Sequence, residues 1–173
     1  PALIAASVLA LCGAAQAQTF NQSSLAAAVQ VPANHRVVME TVGAGSITYE
    51  CRVKKDTTDQ FEWVFVGPDA GLKDRSGKVV GRYYGPPATW ESTDGSKVTG
   101  AQVAVAPNGD GNIPLQLVKA EPATGTGAMT GISYIQRLNT QQGVAPALPC
   151  DASVVNQKQI VSYQADYVFY RAQ

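Results

Sequence analysis

The sequence predicts an all-β fold, either an antiparallel sandwich or a partly closed barrel of about seven to nine strands with one disulfide. Apolar and polar residues alternate with a period of two in several short segments. Turn-forming residues separate these segments at intervals of about 8–15 residues. The sequence shows no strand–helix–strand pattern and no long internal repeat, which argues against a parallel α/β sheet and against a repeat protein.

The clearest strand pattern covers residues 46–53, where Ile47, Tyr49, Cys51 and Val53 share one face. This alternation predicts a half-buried strand with Cys51 pointing into the core. The glycines that precede it at positions 43 and 45 predict a turn. Further strands are predicted over residues 37–39, 61–66, 97–106, 113–117, 129–138 and 163–171.

The N-terminus has the pattern of a secretory signal peptide. Residues 3–11 form an apolar run, and the small residues Ala15 and Ala17 follow in an A-x-A arrangement. The run is shorter than the roughly 20 residues that cross a bilayer. We therefore predict a signal peptide over residues 1–17, cleaved after Ala17, a flexible lead-in with a short helix over residues 18–34, and one β domain over residues 35–173. The mature protein is expected to be secreted or periplasmic, with no membrane span.

The cysteines fit this compartment. Cys12 leaves with the signal peptide, and Cys51 and Cys150 remain. An even number of cysteines in an oxidising compartment predicts one disulfide between them. The alternative is a pair of free buried thiols.

The charge balance argues against one class of partner. The chain has 13 basic and 13 acidic residues and a formal net charge of zero. A nucleic-acid-binding domain needs a net basic surface that displaces counterions from phosphates. No nucleic-acid partner is therefore expected.

The motifs resemble those of the domain-of-unknown-function family 3455, a family of secreted bacterial and fungal proteins, over about residues 35–171. The matching segments lie in both halves of the chain, and the run from Ser133 to Thr140 is the most specific. They are Tyr49-Glu50-Cys51, Trp63 to Phe65, Gly67 to Ala70, Leu72-x-Asp74-x-x-Gly77, Thr89-Trp90-Glu91, Asp94-Gly95-Ser96, Ser133 to Thr140, Gly143-x-Ala145-Pro146, Cys150-Asp151 and Tyr163 to Tyr170.

The resemblance implies no established activity. Some fungal relatives are labelled malate dehydrogenases, but this sequence argues against a nicotinamide site. A dinucleotide needs a glycine-rich turn between a strand and a helix N-terminus, whereas residues 125–131 have the wrong glycine spacing and precede a predicted strand. The family commonly carries a histidine where this chain has Tyr83, so chemistry that needs that imidazole is not expected here.

The candidate site residues cluster in the segment from Tyr83 to Asp94. Tyr83, Tyr84 and Trp90 lie in a glycine- and proline-rich stretch, where loop aromatics can present flat faces to a sugar or an apolar ligand. Burial of Trp90 in the core is the alternative. The further candidates are two acidic residues of the same stretch, Glu91 and Asp94, and Arg137, which is either an anion ligand or the partner of Asp94 or Asp166.

These observations favour a non-catalytic binding or surface module for a carbohydrate or a small apolar ligand. No catalytic residue, metal ligand or cofactor is assigned, because His35 is the only histidine and no serine-nucleophile motif occurs. Two alternatives stay open. One is a cofactor-independent hydrolase or lyase that uses paired carboxylates on an extracellular polysaccharide. The other is a structural protein of the cell envelope.

Overall fold

A computed structural model describes residues 21–173. Two short 3-10 turns precede the strands, at Gln22–Ser24 and Ala27–Val29. The strands are β1 (His35–Val53), β2 (Phe61–Lys73), β3 (Val79–Tyr84), β4 (Thr89–Ser92), β5 (Lys97–Ala106), β6 (Leu115–Ala120), β7 (Tyr134–Gln142) and β8 (Lys158–Ala172). The predicted signal peptide lies outside the described residues.

The eight strands form one antiparallel sheet that closes into a ring. Each strand pairs with the next along the chain, and β8 returns to pair with β1. The all-β prediction is confirmed, and of its two forms the closed one is observed. Closure leaves the sheet with an inner face and an outer face, and each face has its own packing.

The turn predicted at Gly43 and Gly45 is wrong, because β1 runs through both glycines. A Cβ at position 43 would lie 2.5 Å from the ring of Tyr167, and one at position 45 would lie 2.1 Å from the carbonyl oxygen of Asp69. The two glycines therefore let β1 pass close to its neighbours inside a continuous 19-residue strand.

The inner face holds the main core. Trp90, Tyr167 and Phe169 are its largest fully buried side chains. The aromatic rings contact one another: Tyr83 stacks on Trp90 with centroids 4.7 Å apart, and Tyr167 packs against both. Other inner core residues are Ile47, Tyr49, Ala70, Leu72, Val98, Ile113, Val118, Met129, Ile132, Ile135, Tyr163 and Ala165.

Residues 21–31, which we call the strap, cover the outer face of the strands from β5 to β8. Val29 is fully buried there against Leu117, and Leu25 packs near Leu138. The helix predicted in this segment is replaced by the two 3-10 turns, the first capped by the side chain of Asn21. The predicted lead-in thus contributes to the core.

A buried polar network fixes the strap in place. The amide of Gln136 is fully buried and donates to the carbonyl oxygen of Val29 at 2.6 Å and to the side chain of Gln22 at 3.0 Å. Tyr170 donates to Gln136 at 2.6 Å and accepts from Gln22 at 2.9 Å. Burial raises the pKa of Tyr170 to about 12, so its hydroxyl remains a donor. Every member has a partner, as a buried polar group requires.

The predicted disulfide is confirmed. Cys51 on β1 is bonded to Cys150 in the loop before β8, across a sequence separation of 99 residues. Trp63 donates from its indole nitrogen to the carbonyl oxygen of Leu148 at 2.9 Å, which ties the same loop to β2. In the described part of the chain, no helix is long and apolar enough to cross a membrane.

We predict that Val29→Asp lowers the free energy of unfolding by at least about 2 kcal/mol, because it places a carboxylate without a partner under the strap. Ala28→Asp is the matched control, since Ala28 is exposed on the same turn. Chemical denaturation of both variants measures the difference. Equal stability of the two variants would show that the strap does not pack on the sheet.

Candidate functional site

A cavity of about 340 Å³ lies inside the ring. Its walls are mainly apolar, and Phe65 stands at its edge with 51% of its surface exposed, which places the opening there. Phe65 packs edge-on against Tyr49, with centroids 6.1 Å apart. The other lining residues are Ile47, Pro68, Tyr83, Gly85, Pro86, Ala88, Gly100, Gln102, Ile113, Pro114, Gln116, Val118 and Arg137.

Tyrosine hydroxyls bring polar groups into the ring interior. The hydroxyls of Tyr163 and Tyr167 lie 3.1 Å apart and share a hydrogen bond. Tyr49 donates to the carbonyl oxygen of Gly143 at 2.8 Å. Burial raises the pKa of all four interior tyrosines, Tyr83 included, above the ordinary value. They are therefore neutral at physiological pH.

Arg137 brings a positive charge to the wall of this cavity. It alternates with Gln136 along β7, so it points inward where Gln136 points outward. Its Nε and Nη2 atoms both donate to the carbonyl oxygen of Pro114, at 3.1 and 3.0 Å. Its charge also acts on the interior tyrosines, where it opposes the rise of their pKa values.

Of the two roles left open for Arg137, the ion pair with Asp94 or Asp166 does not form among residues 21–173. Asp166 faces the outside of the ring, where it is 3.2 Å from Arg75 and accepts a hydrogen bond from Asn139 at 2.7 Å. Asp94 lies in the turn between β4 and β5. None of the ion pairs among residues 21–173 includes Arg137.

Trp90 and Tyr83 belong to the interior, in agreement with the core alternative for Trp90. Trp90 is 1% exposed, and its indole N–H has no acceptor among the described residues. Tyr83 is buried too, but it also lines the cavity. Of the three predicted aromatics, Tyr83 therefore lines the cavity, and Trp90 packs against Tyr83 without lining the cavity itself.

Tyr84 and Glu91 lie on the outer face instead. The hydroxyl of Tyr84 donates to Glu91 at 2.7 Å, and this hydrogen bond raises the pKa of Tyr84. Arg82 lies over the Tyr84 ring and forms a two-point ion pair with Asp69 at 3.0 and 2.9 Å. Glu91, Arg82 and Asp69 border a shallow outer trough, with Gly71 among its other lining residues.

Asp94 has a local structural role in its turn. Its carboxylate accepts hydrogen bonds from the Ser96 hydroxyl and amide, at 2.6 and 2.9 Å, and from the Ala128 amide at 2.8 Å. These bonds, with that of the Ser96 hydroxyl the strongest, lower the pKa of Asp94 to about 2. The carboxylate joins the β4–β5 turn to the loop before β7.

The six predicted site residues thus do not form one site. Three of them lie in the ring interior, namely Tyr83, Trp90 and Arg137. The other three lie on the outer surface, namely Tyr84, Glu91 and Asp94. Phe65 was not among the predicted site residues, although its alternation with Trp63 already placed it on an apolar face. Among residues 21–173, no group of three or more histidine, cysteine, aspartate or glutamate side chains is placed to hold a metal ion.

Comparison with protein families gives a match over residues 32–171, to the family described as "Protein of unknown function (DUF3455)". The chain belongs to this family. No curated protein matches the chain, and no solved structure matches it. The family assignment confirms the resemblance drawn from the sequence motifs. The matched range includes every residue that lines the cavity. It also includes the eight strands described above, apart from Ala172 at the end of β8.

We predict that Asp94→Asn lowers the melting temperature at pH 7, because an amide nitrogen cannot accept the hydrogen bond that Ala128 donates. The folded-state pKa is below the ordinary value of 3.8, so the carboxylate stabilises the fold fully above about pH 4. That contribution is lost as the pH falls through about 2, and the difference between wild type and variant should shrink over this range.

Asp110→Asn is the control for this experiment, because the Asp110 side chain makes no hydrogen bond or ion pair within residues 21–173. Its melting temperature should follow that of the wild type. A difference between wild type and Asp94→Asn that stays constant from pH 7 to pH 2 would contradict the assigned role.

Proposed function

We propose that the protein is an exported, non-catalytic binding module whose ring cavity takes up a small apolar ligand. The observation that carries the proposal is the cavity itself, with about 340 Å³ of space behind a half-exposed phenylalanine. Small-molecule sites are typically concave, mostly apolar and furnished with a few polar groups. The interior of this ring has each of these properties.

The lining favours binding over catalysis. A hydrolase or lyase of the paired-carboxylate type needs two acids at a working separation of roughly 5–10 Å. Among the described residues, those that line the cavity include no aspartate or glutamate. Two carboxylates, Asp69 and Glu91, do border the outer trough, but each already bonds to a neighbouring side chain.

The positions of the aromatic side chains favour an apolar ligand over a carbohydrate. A sugar-binding site usually needs an aromatic face that is open to solvent. Tyr84 is the outermost of the three predicted aromatics, and the guanidinium of Arg82 lies over its ring, 5.4 Å from the centroid. Phe65, in contrast, stands at an apolar opening.

Export is supported by the disulfide between Cys51 and Cys150, since such bonds persist in oxidising compartments. The predicted signal peptide at residues 1–17 supports the same conclusion. We therefore propose that the protein works in the periplasm or outside the cell. N-terminal sequencing of the exported protein tests this directly, with residue 18 as the expected first residue.

Intrinsic fluorescence provides a direct binding assay. The chain has two tryptophans, Trp63 and Trp90. Trp90 stacks on Tyr83, which lines the cavity, so an occupant of the cavity should change its emission. Trp63→Phe removes the other tryptophan, which lies near the disulfide loop. Titration of this variant with neutral apolar compounds tests the proposal.

We predict that Phe65→Ala weakens binding of a neutral apolar ligand roughly tenfold, because a phenyl ring at the opening contributes about 1.5 kcal/mol or more of buried contact. Ile160→Ala is the matched control, since Ile160 is 70% exposed on β8 and does not line the cavity. The cavity would be excluded as the site if both variants lost affinity equally. It would also be excluded if the ligand bound saturably to both variants with wild-type affinity.

A further inference from the structure

We propose that Arg137 selects the ligand of this cavity, which is a small monocarboxylic acid with an apolar body. The inference rests on the proposed function, because it assumes that the cavity is a ligand site. It adds the chemical class of the ligand and names the residue that recognises it. Three features of Arg137 support the inference: within residues 21–173 some of its donors are unused and its charge has no counter-ion, and the rest of the cavity wall is mainly apolar.

The hydrogen-bond donors of Arg137 are only partly used. A guanidinium has five N–H groups in a fixed planar fork. The Nε–H and one Nη2–H are directed to the carbonyl oxygen of Pro114. The two Nη1–H groups and the second Nη2–H have no acceptor among residues 21–173. The pair formed by Nη1 and Nη2 is the edge of the fork that binds a carboxylate through two parallel hydrogen bonds.

The charge of Arg137 has no counter-ion in the described part of the chain. No carboxylate pairs with it, and the four tyrosines that its field reaches stay neutral because burial raises their pKa values. A half-buried cation beside apolar walls is costly unless an anion pairs with it. The cavity therefore favours a ligand that brings a negative charge.

The lining also limits that charge to one. Within residues 21–173, Arg137 is the only cationic residue that lines the cavity. A dianion such as a phosphate monoester or a dicarboxylate would leave one negative charge unpaired against apolar walls, at a large desolvation cost. A carboxylate matches the planar fork in both charge and geometry.

The neighbours of Arg137 point to an amphipathic ligand. Gln116 stands opposite Arg137 in the β6–β7 register, and its amide donates to Gln102 at 2.7 Å. These three side chains form a short polar strip on one wall. The opposite parts of the wall, with Phe65 and Pro86, are apolar. An acid head on the strip would leave an alkyl or aryl body against the apolar surface.

Two pairs of probes test the inference. They are 3-phenylpropanoate with 3-phenylpropanamide, and octanoate with octanamide, each an acid beside its neutral amide. Calorimetric or fluorescence titration of the wild type should show each acid binding roughly 10- to 100-fold more tightly than its amide, the range expected for hydrogen bonds to a charged group. Octanedioate should bind more weakly than octanoate. The aryl and alkyl pairs distinguish an aromatic acid from a fatty acid as the natural ligand.

Variants of Arg137 then locate the effect. Arg137→Met should abolish the preference for the acid while the amide binds as before, and Arg137→Lys should retain part of it, because lysine keeps the charge but lacks the fork. Arg36→Met is the matched control, since Arg36 is exposed and does not line the cavity. Circular dichroism confirms that each variant is folded.

Each outcome has a distinct meaning. Equal binding of acid and amide to the wild type, or an acid preference that survives in Arg137→Met, would overturn the assignment of Arg137. The proposed function would then still stand if Phe65→Ala weakens binding of the amide. If folded wild-type protein binds none of the probes, the ligand class proposed here is wrong, and the cavity loses its support as a site for ligands of this size.

Discussion

The pairing of β8 with β1 is the constraint on which the rest of the structure depends. These are the two longest strands, and their antiparallel register extends from His35↔Ala172 to Glu50↔Lys158. Closure removes the free edges that an open sheet would expose. It also converts one face of the sheet into an enclosed interior, so that residues far apart in sequence share a single space. The cavity and its cation exist only because the ring is closed.

The two faces of the closed sheet are stabilised differently. Inside, aromatic and aliphatic side chains pack together, and Gly43 in β1 lets the ring of Tyr167 approach the backbone. Outside, the strap covers β5 to β8 through Val29 and a fully paired glutamine–tyrosine network. The contrast extends to β7, where Gln136 fixes the strap and the next residue, Arg137, faces the cavity. One strand therefore carries both the residue that fixes the strap and the cationic residue of the cavity wall.

The alternation of residues 46–53 was sufficient to predict a half-buried strand with an inward Cys51. The all-β class followed from several such segments, and the disulfide from the two cysteines that remain in an oxidising compartment. Propensity alone could not show that Gly43 and Gly45 continue β1, because close approach of a neighbouring strand decides that. Arg137 stood out as a polar residue in an apolar strand, but the sequence left open whether it binds an anion or pairs with Asp94 or Asp166. The pair with Asp166 does not form, since Asp166 lies between two inward residues of β8 and faces outside. The cavity could not be predicted from the sequence, because its lining comes from six strands and from the loops between them. Their relative positions are set only when the ring closes.

The most direct test of a cavity with an unpaired cation is a bromide soak of protein crystals, read from the anomalous scattering of the ion. We expect a bromide inside the ring, on the Nη1–Nη2 edge of Arg137. The Nε and Nη2 atoms should keep their hydrogen bonds to the carbonyl oxygen of Pro114. A guanidinium that is turned out of the cavity onto a protein carboxylate, or bromide that occupies only the outer surface, would contradict it.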